Sequence, residues 1–256
     1  MSKIKNDLVS IITPSYNTEE FVSETIKSVL AQDYENWEMI IVDDCSTDNS
    51  QGIISSYSNR DSRIKLIINE QNSGPAISRN RAIEISQGRF IAFLDSDDLW
   101  LTNKLSIQLK FMRDNDYPFS YSFYEQIDES GNFIKKIDKI SKRTSYRSLL
   151  SENIIGCLTA VYDVEFFGKV YMENISKRQD FSLWLKLLKY VKYAYCLPMV
   201  NAKYRIRKGS VSSNKFDLIK YHWIIYRELE RLSIVKSFYY LLNYKLKVII
   251  KKLKQL

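Results

Sequence analysis

The chain has 256 residues, enough for one large α/β domain or one domain with an appendage, and 45% of them are hydrophobic. Seven glycines and four prolines exclude a low-complexity chain, and three scattered cysteines, Cys45, Cys157 and Cys196, exclude a disulfide scaffold or a Cys-x-x-Cys site. The net charge is +8, but Ser233–Leu256 holds six lysines and no acid, so the basicity belongs to the tail and argues against a general affinity for nucleic acid.

Strand-like and helical patterns alternate through the first hundred residues. Leu8–Thr13 reads as a strand, and Glu19–Gln32 as a helix with Phe21, Ile26, Val29 and Leu30 on its buried side. Glu38–Val42 is the next strand, followed by a helix near Asp48–Tyr57 and a third strand at Ile64–Ile68. Pro75–Ser86 reads as a helix that Gly88 can terminate. The apolar run Arg89–Leu94 is a buried strand leading into Asp95. This alternation predicts an α/β fold, a mostly parallel sheet with helices on both faces.

Beyond Asp98 the pattern predicts a helix over Asn103–Asn115, then an antiparallel pair around Phe119–Gln126 and Phe133–Ile137 joined by a turn through Asp128–Asn132. Lys135, Lys136, Lys139, Lys142, Arg143 and Arg147 follow, either as a surface loop near the site or as a solvated face. Cys157–Tyr162 reads as a strand and Asp180–Tyr190 as a helix. From about Phe216 onward the chain is helical in pattern, aromatic and basic. The expected division is an α/β domain over 1–215, with a first half to about residue 100 and a second half beyond it, and a helical tail over 216–256.

Each early strand ends in a polar cluster: Thr13-Pro14-Ser15-Tyr16-Asn17, Asp43-Asp44, Asn72-Ser73-Gly74 and Asp95-Ser96-Asp97-Asp98. In a doubly wound sheet such ends lie along one edge and converge on one crevice. Three carboxylates within four residues repel one another unless a cation holds them, and hard oxygen ligands suit Mg²⁺ or Mn²⁺ shared with substrate phosphates. No Gly-x-Gly-x-x-Gly fingerprint and no P-loop is present, so a nucleotide would be held by side chains and a metal.

The motifs Ser10–Asn17, Ile41–Asp48, Asn72–Asn80 and Phe93–Asp98 together resemble those of the family 2 glycosyltransferases over roughly residues 8–215. The resemblance implies a GT-A fold, an inverting reaction, a nucleotide-sugar donor (most often a UDP-sugar) and a divalent cation, Mn²⁺ or Mg²⁺. By position it implies that Thr13, Pro14 and Tyr16 flank the base, that Asp44 accepts from the uracil imide, and that Arg79 approaches the nucleotide or its phosphates. Asp95 would face the ribose and metal, with Asp97 the principal metal ligand. Lys177-Arg178-Gln179-Asp180 before Leu183-Trp184-Leu185 matches the family's Gln-Asp variant, making Asp180 the catalytic base; the same position also suits a helix N-cap. Tyr204–Ser212 resembles a late family segment in which Arg207 replaces a frequent histidine and would contact the diphosphate. The single histidine, His222, makes a Ser-His-Asp triad or a multi-histidine zinc site untenable and reads as structural.

The tail mixes aromatic and aliphatic side chains with lysines, which suits either an interfacial helix on anionic lipid or a helical pair packed on the domain. The first apolar stretch, Val9–Ile12, is too short for a secretory signal and runs into Pro14. The expectation is therefore a cytoplasmic protein, peripheral on the inner face of a membrane, serving a lipid-linked oligosaccharide or other surface-glycan acceptor. The rival readings are a non-catalytic nucleotide-sugar or membrane-binding module, a nucleic-acid-binding protein and a nucleotidyltransferase. The acidic cluster with Asp180, the confinement of charge to the tail, and the lack of a basic triphosphate loop weigh against them in turn.

Overall fold

The computed structural model describes residues 7–207 and 215–253, with the backbone alone for 215–218 and 248–253. The apolar runs become strands. β1 (Val9–Ser15), β2 (Trp37–Asp43), β3 (Ile64–Ile68) and β4 (Phe90–Phe93) are parallel, in the spatial order β3-β2-β1-β4. Between them run α1 (Val22–Leu30), α2 (Ser50–Ser58) and α3 (Pro75–Ile85). Ile11, Ile41 and Ala92 enter one core cluster, while their neighbours Ile12, Ile40 and Ile91 enter another. Successive side chains on a strand point to opposite faces, and both faces here are covered, so these strands are apolar without alternation.

Two boundaries differ from the pattern. The α1 helix starts at Val22 because the N–H groups of Phe21 and Val22 both bond to the Thr18 carbonyl in a preceding turn. Gly88 does not end α3, which stops at Ile85. Its role is close approach: a Cβ there would lie 2.6 Å from the Ser10 nitrogen and 2.7 Å from the Leu8 oxygen. The Gly88 N–H donates to Ser10 Oγ at 2.8 Å, locking the entry of β4 against β1.

The second half adds β5 (Leu99–Trp100), α4 (Lys104–Asp114), β6 (Phe119–Ile127), β7 (Phe133–Ile137), β8 (Arg143–Thr144) and α5 (Tyr146–Ser151). It continues through β9 (Val161–Asp163), α6 (Val164–Phe167), α7 (Gln179–Leu187) and β10 (Ala194–Arg205). Among the described residues, ten strands form one sheet in the order β3-β2-β1-β4-β9-β6-β10-β5, with β7 on β6 and β8 on β10. The β6–β7 hairpin is antiparallel as expected, whereas β6 and β10 are parallel. The strand expected over Cys157–Tyr162 is instead a 3-10 turn, Cys157–Thr159, with β9 beginning at Val161. Thr159 closes that turn by donating both its N–H and its hydroxyl to the Gly156 carbonyl. Nor do the basic residues form one loop, since Lys135 and Lys136 lie on β7, Arg143 on β8 and Arg147 on α5.

The C-terminal part comprises α8 (Lys215–Ile224), a π turn (Ile225–Leu229) and α9 (Ile234–Leu253). Ile225, Tyr226 and Leu241 belong to the same core cluster as Phe181 and Trp184, and Tyr226 donates to the Leu150 carbonyl at 2.5 Å. These helices are thus packed on the domain through one face. No described helix is long and apolar enough to cross a membrane.

Candidate active site

The parallel strands deliver their polar ends to one edge. There β4 runs out at Phe93, Leu94 still bonds to the Ile12 carbonyl, and the chain turns with the Asp98 N–H on the Asp95 carbonyl. Asp98 is buried and accepts the backbone N–H of Arg205 at 2.8 Å. Burial, then the charges of Asp97 and Asp95, push its carboxyl well above the usual range. Asp97 is also raised, by burial first and Asp95 second, with Arg207 and Arg205 opposing. Asp98 is therefore the most buried brace of the turn, at the floor of the cleft that Asp95 and Asp97 also line.

Each outer carboxylate meets an arginine. Arg79, only 7% exposed, places Nη2 2.5 Å from Asp95 Oδ1. Burial alone would pull the Arg79 guanidinium down, but Asp95, with Asp180 farther off, outweighs it and keeps the group protonated. Arg207 Nε lies 2.6 Å from Asp97 Oδ2, close enough for an ion pair but not aligned as a hydrogen bond. The Nε atoms of Arg79, Arg178 and Arg207 are buried without a hydrogen-bond partner, and all three arginines line the same cleft.

The two aspartates after β2 do different work. Asp43 accepts from the Ser46 N–H, the Ser46 and Ser15 hydroxyls and the Gln51 amide, tying the ends of β1 and β2 together. Asp44 reaches the other way. Its Oδ1 accepts from Asn69 Nδ2 at 2.7 Å and the Ser73 N–H at 2.9 Å, and its Oδ2 accepts from the Gly74 N–H at 2.7 Å. Gly74 sits at φ +89, a conformation open to glycine, just before the Pro75 that starts α3.

These loops border an open cleft of about 860 Å³. Of the residues singled out from sequence, Pro14, Tyr16, Asp44, Arg79, Asp95, Asp97, Asp180 and Arg207 all line it. Tyr16 is 47% exposed, so its ring is available to a planar ligand. Thr13 does not line it: the side chain is fully buried in β1, with its hydroxyl unpartnered among the described residues. Asp180 is not the N-cap of its helix. That position belongs to Arg178, held in the left-handed region at φ 66, and Asp180 occupies the first turn, where the helix dipole still acts on it. The Lys208–Ser212 part of the late motif lies outside the described residues. His222 lies away from the cleft, stacked between Phe181 and Tyr244, and burial followed by Arg178 lowers its pKa to about 3.

Two cleft residues were not assigned roles from sequence. Arg178 stands in the quoted Lys-Arg-Gln-Asp run beside Asp180, and its placement needed the backbone turn to become visible. Arg205 stands in the quoted late motif; it is 2% exposed and bonds to the Asp97, Asp128 and Glu129 carbonyls and to Glu24. The cleft lining also includes Tyr124, Ile137, Ile140 and Ile154, which give it an apolar part.

The donor set fits a hard divalent cation. Among the described residues no three or more His, Cys, Asp or Glu side chains converge as a complete cage. Mg²⁺ and Mn²⁺ sites of nucleotide enzymes need only one or two carboxylates, the phosphates supplying the rest. Asp97 is disfavoured as an anion by burial and by Asp95, with Arg207 and Arg205 opposing, so an added positive charge at the cleft side of the turn would relieve repulsion there.

A parallel nucleotide-side sheet with a carboxylate turn at its edge, joined to a mixed second half, defines a sugar-transferring enzyme of the GT-A fold. The chain belongs to glycosyl transferase family 2, whose profile matches residues 10–170. It is 43% identical, over 96% of its length and 98% of the relative's, to a glycosyltransferase that its name assigns to teichuronic acid biosynthesis, TuaG of Bacillus subtilis. It is 41% identical, over 93% of its length and 92% of the relative's, to the Escherichia coli UDP-Glc:alpha-D-GlcNAc-diphosphoundecaprenol beta-1,3-glucosyltransferase WfgD. Among solved structures, S. aureus TarS 1–349 with UDP-GlcNAc superposes with a TM-score of 0.72 at 20% identity, over 92% of this chain and 71% of that one. The fold, the family and the glycosyltransferase class expected from the motifs are those found.

Proposed function

We propose that this glycosyltransferase moves a sugar, with inversion, from a UDP-sugar to a hydroxyl of a surface-glycan precursor carried on a lipid diphosphate. The observation that carries the reading is the convergence of Asp95 and Asp97 on the turn after β4, Arg79 on α3 and Asp180 on α7 on one cleft. A single displacement needs no enzyme nucleophile, only a base on the acceptor hydroxyl and stabilisation of the leaving group. Asp180 is the base, and the sugar passes through an oxocarbenium-like state. Tyr16 stacks on the base of the nucleotide, and Asp44 uses lone pairs left by its loop contacts to accept from the imide. Arg79, whose buried Nε has no hydrogen-bond partner, and Arg207, which reaches Asp97 beside it, face the diphosphate. Asp95 and Asp97 hold Mn²⁺ or Mg²⁺, and when bound the cation supplies charge neutralisation for the departing diphosphate. The lipid-diphosphate acceptor is supported by the reaction named for WfgD and by the apolar part of the cleft.

The test is to incubate the purified chain and MnCl₂ with a panel of UDP-sugars and a synthetic GlcNAc-diphospho-lipid, following UDP release and the anomeric configuration of the product by NMR. Transfer with inversion from one donor is expected. Retention of configuration, or no transfer from any nucleotide sugar, would overturn the reading.

A further inference from the structure

The tail helix α9 has two apolar faces: one packs on the domain, and the other is largely exposed, although Phe238 on it also meets Trp223 with ring centroids 4.9 Å apart. Ser237 and Leu241 point into the core, and Tyr240 and Tyr244 lean the same way. On the outward side Ile234, Val235, Phe238, Tyr239, Leu242 and Leu246 are 56%, 78%, 59%, 60%, 59% and 47% exposed. Their spacing of three and four residues collects them into one stripe along three turns of helix. Soluble monomers rarely leave a continuous apolar stripe in water without a use.

Charge identifies the occupant. Exposed Lys236 and Lys245 border the stripe on opposite sides, and Ser233–Leu256 contains no acid. Lysines flanking an apolar face match an anionic bilayer surface, the apolar side chains entering the acyl boundary while the ammonium groups remain among the headgroups. A second copy is disfavoured, since stripe-to-stripe contact would bring two sets of lysines together with no acid on either helix. We infer that the outward face of α9 lies in the plane of an anionic membrane and seats the enzyme there.

The inner face of the same helix ties this seat to the cleft. Arg178 Nη2 donates to Tyr244 Oη at 3.2 Å, and Arg178 borders the cleft next to Asp180. Lys247 pairs with Glu152 at 3.3 Å, directly before the Asn153–Leu158 segment of the cleft wall. A membrane-seated α9 therefore holds the base side of the cleft near the bilayer, where a lipid-linked hydroxyl is found. The membrane contact itself does not depend on the proposed transfer reaction and is read without it.

Truncating the helix would strip the core of Leu241, so the test uses surface substitutions in the full chain. Val235→Glu with Leu242→Glu replaces two outward side chains, and Lys236→Gln with Lys245→Gln removes the flanking charge. Co-sedimentation with phosphatidylglycerol-containing vesicles, and with pure phosphatidylcholine vesicles, is measured at low and high salt. The native chain should bind the anionic vesicles and retain part of that binding in high salt, because the apolar insertion is not screened. The double glutamate variant should lose at least tenfold at both salts, and the glutamine variant mainly at low salt, with thermal melting and UDP-sugar hydrolysis in solution unchanged for both. Equal sedimentation of the folded glutamate variant would overturn the inference. So would a native chain that ignores vesicles and instead forms a dimer, seen by ultracentrifugation and broken by the same variant. Failure of sugar transfer with intact vesicle binding would count against the proposed reaction alone.

Discussion

Arg205 braces the acidic turn against the rest of the cleft: its backbone N–H meets Asp98 Oδ1 at 2.8 Å, while its Nε donates to the Asp97 carbonyl at 2.9 Å. The same guanidinium reaches the Asp128 and Glu129 carbonyls on the β6–β7 turn and Glu24 Oε2 at 2.6 Å on α1. One buried side chain thus ties two loops and the helix α1 together at the edge of the cleft.

Arg205→Lys should therefore harm both stability and donor use. Lysine keeps the charge but not the planar fork, leaving buried carbonyls short of a partner at about 1–3 kcal/mol each. The urea midpoint should fall and the donor KM should rise about tenfold. An unchanged midpoint and KM would show that these bonds do not shape the turn.

Asp97→Ala should abolish transfer and leave the fold intact. Removing its charge relieves the cost of burial and the repulsion from Asp95 but gives up the pair with Arg207, two effects that oppose each other in stability, while loss of leaving-group stabilisation costs several kcal/mol, on the order of the usual metal contribution. Turnover is compared with circular dichroism, and EDTA should silence the native enzyme to the same degree. Full activity in EDTA would remove the metal from the reaction.

For Asp180→Asn the expected fall in turnover is about 100-fold or more, the range for a positioned general base. Because Asp180 lies in the first turn without being the cap, the stability of α7 should barely change. Single-turnover rates with donor and acceptor bound make the measurement, and a native rate would assign the proton to another group.

The stability of the protein should carry a signature of His222. Its folded pKa is lowered from 6.5 to about 3, by burial and then by Arg178, so between those values the unfolded chain takes up a proton that the folded chain refuses. Stability then falls as pH drops below 6.5, by about 2 kcal/mol at pH 5 from this group. His222→Phe keeps the ring between Phe181 and Tyr244 and should flatten that part of the slope. Urea unfolding of both chains at pH 7 and pH 5 gives the comparison, and identical slopes would contradict it.

The first hundred residues were legible because their strands are buried on both faces and carry continuous apolar runs, each stopped by a polar cluster. Those clusters project in one direction once the strands are parallel, which is why Asp44, Arg79, Asp95 and Asp97 meet. Cys157–Thr159 was misread because three residues of mixed apolar character fit a strand or a tight turn equally, and the Thr159 hydroxyl decided the matter. Arg205 escaped because its partner Glu24 is 181 positions away, a distance no local pattern can encode. The two apolar faces of α9 could not be told apart until the core took Leu241 and left Val235 outside.

The bonds that Asp43 and Asp44 make have a consequence for how a donor arrives. Asp44 clasps the backbone of Ser73 and Gly74, and Asp43 fastens Ser15 to Ser46, through bonds made entirely within the chain. The conformational entropy of ordering those loops is lost during folding and not at association. A nucleotide entering this side of the cleft would meet a finished wall, so capture there should proceed as rigid docking, with whatever rearrangement catalysis requires left to the rest of the cleft.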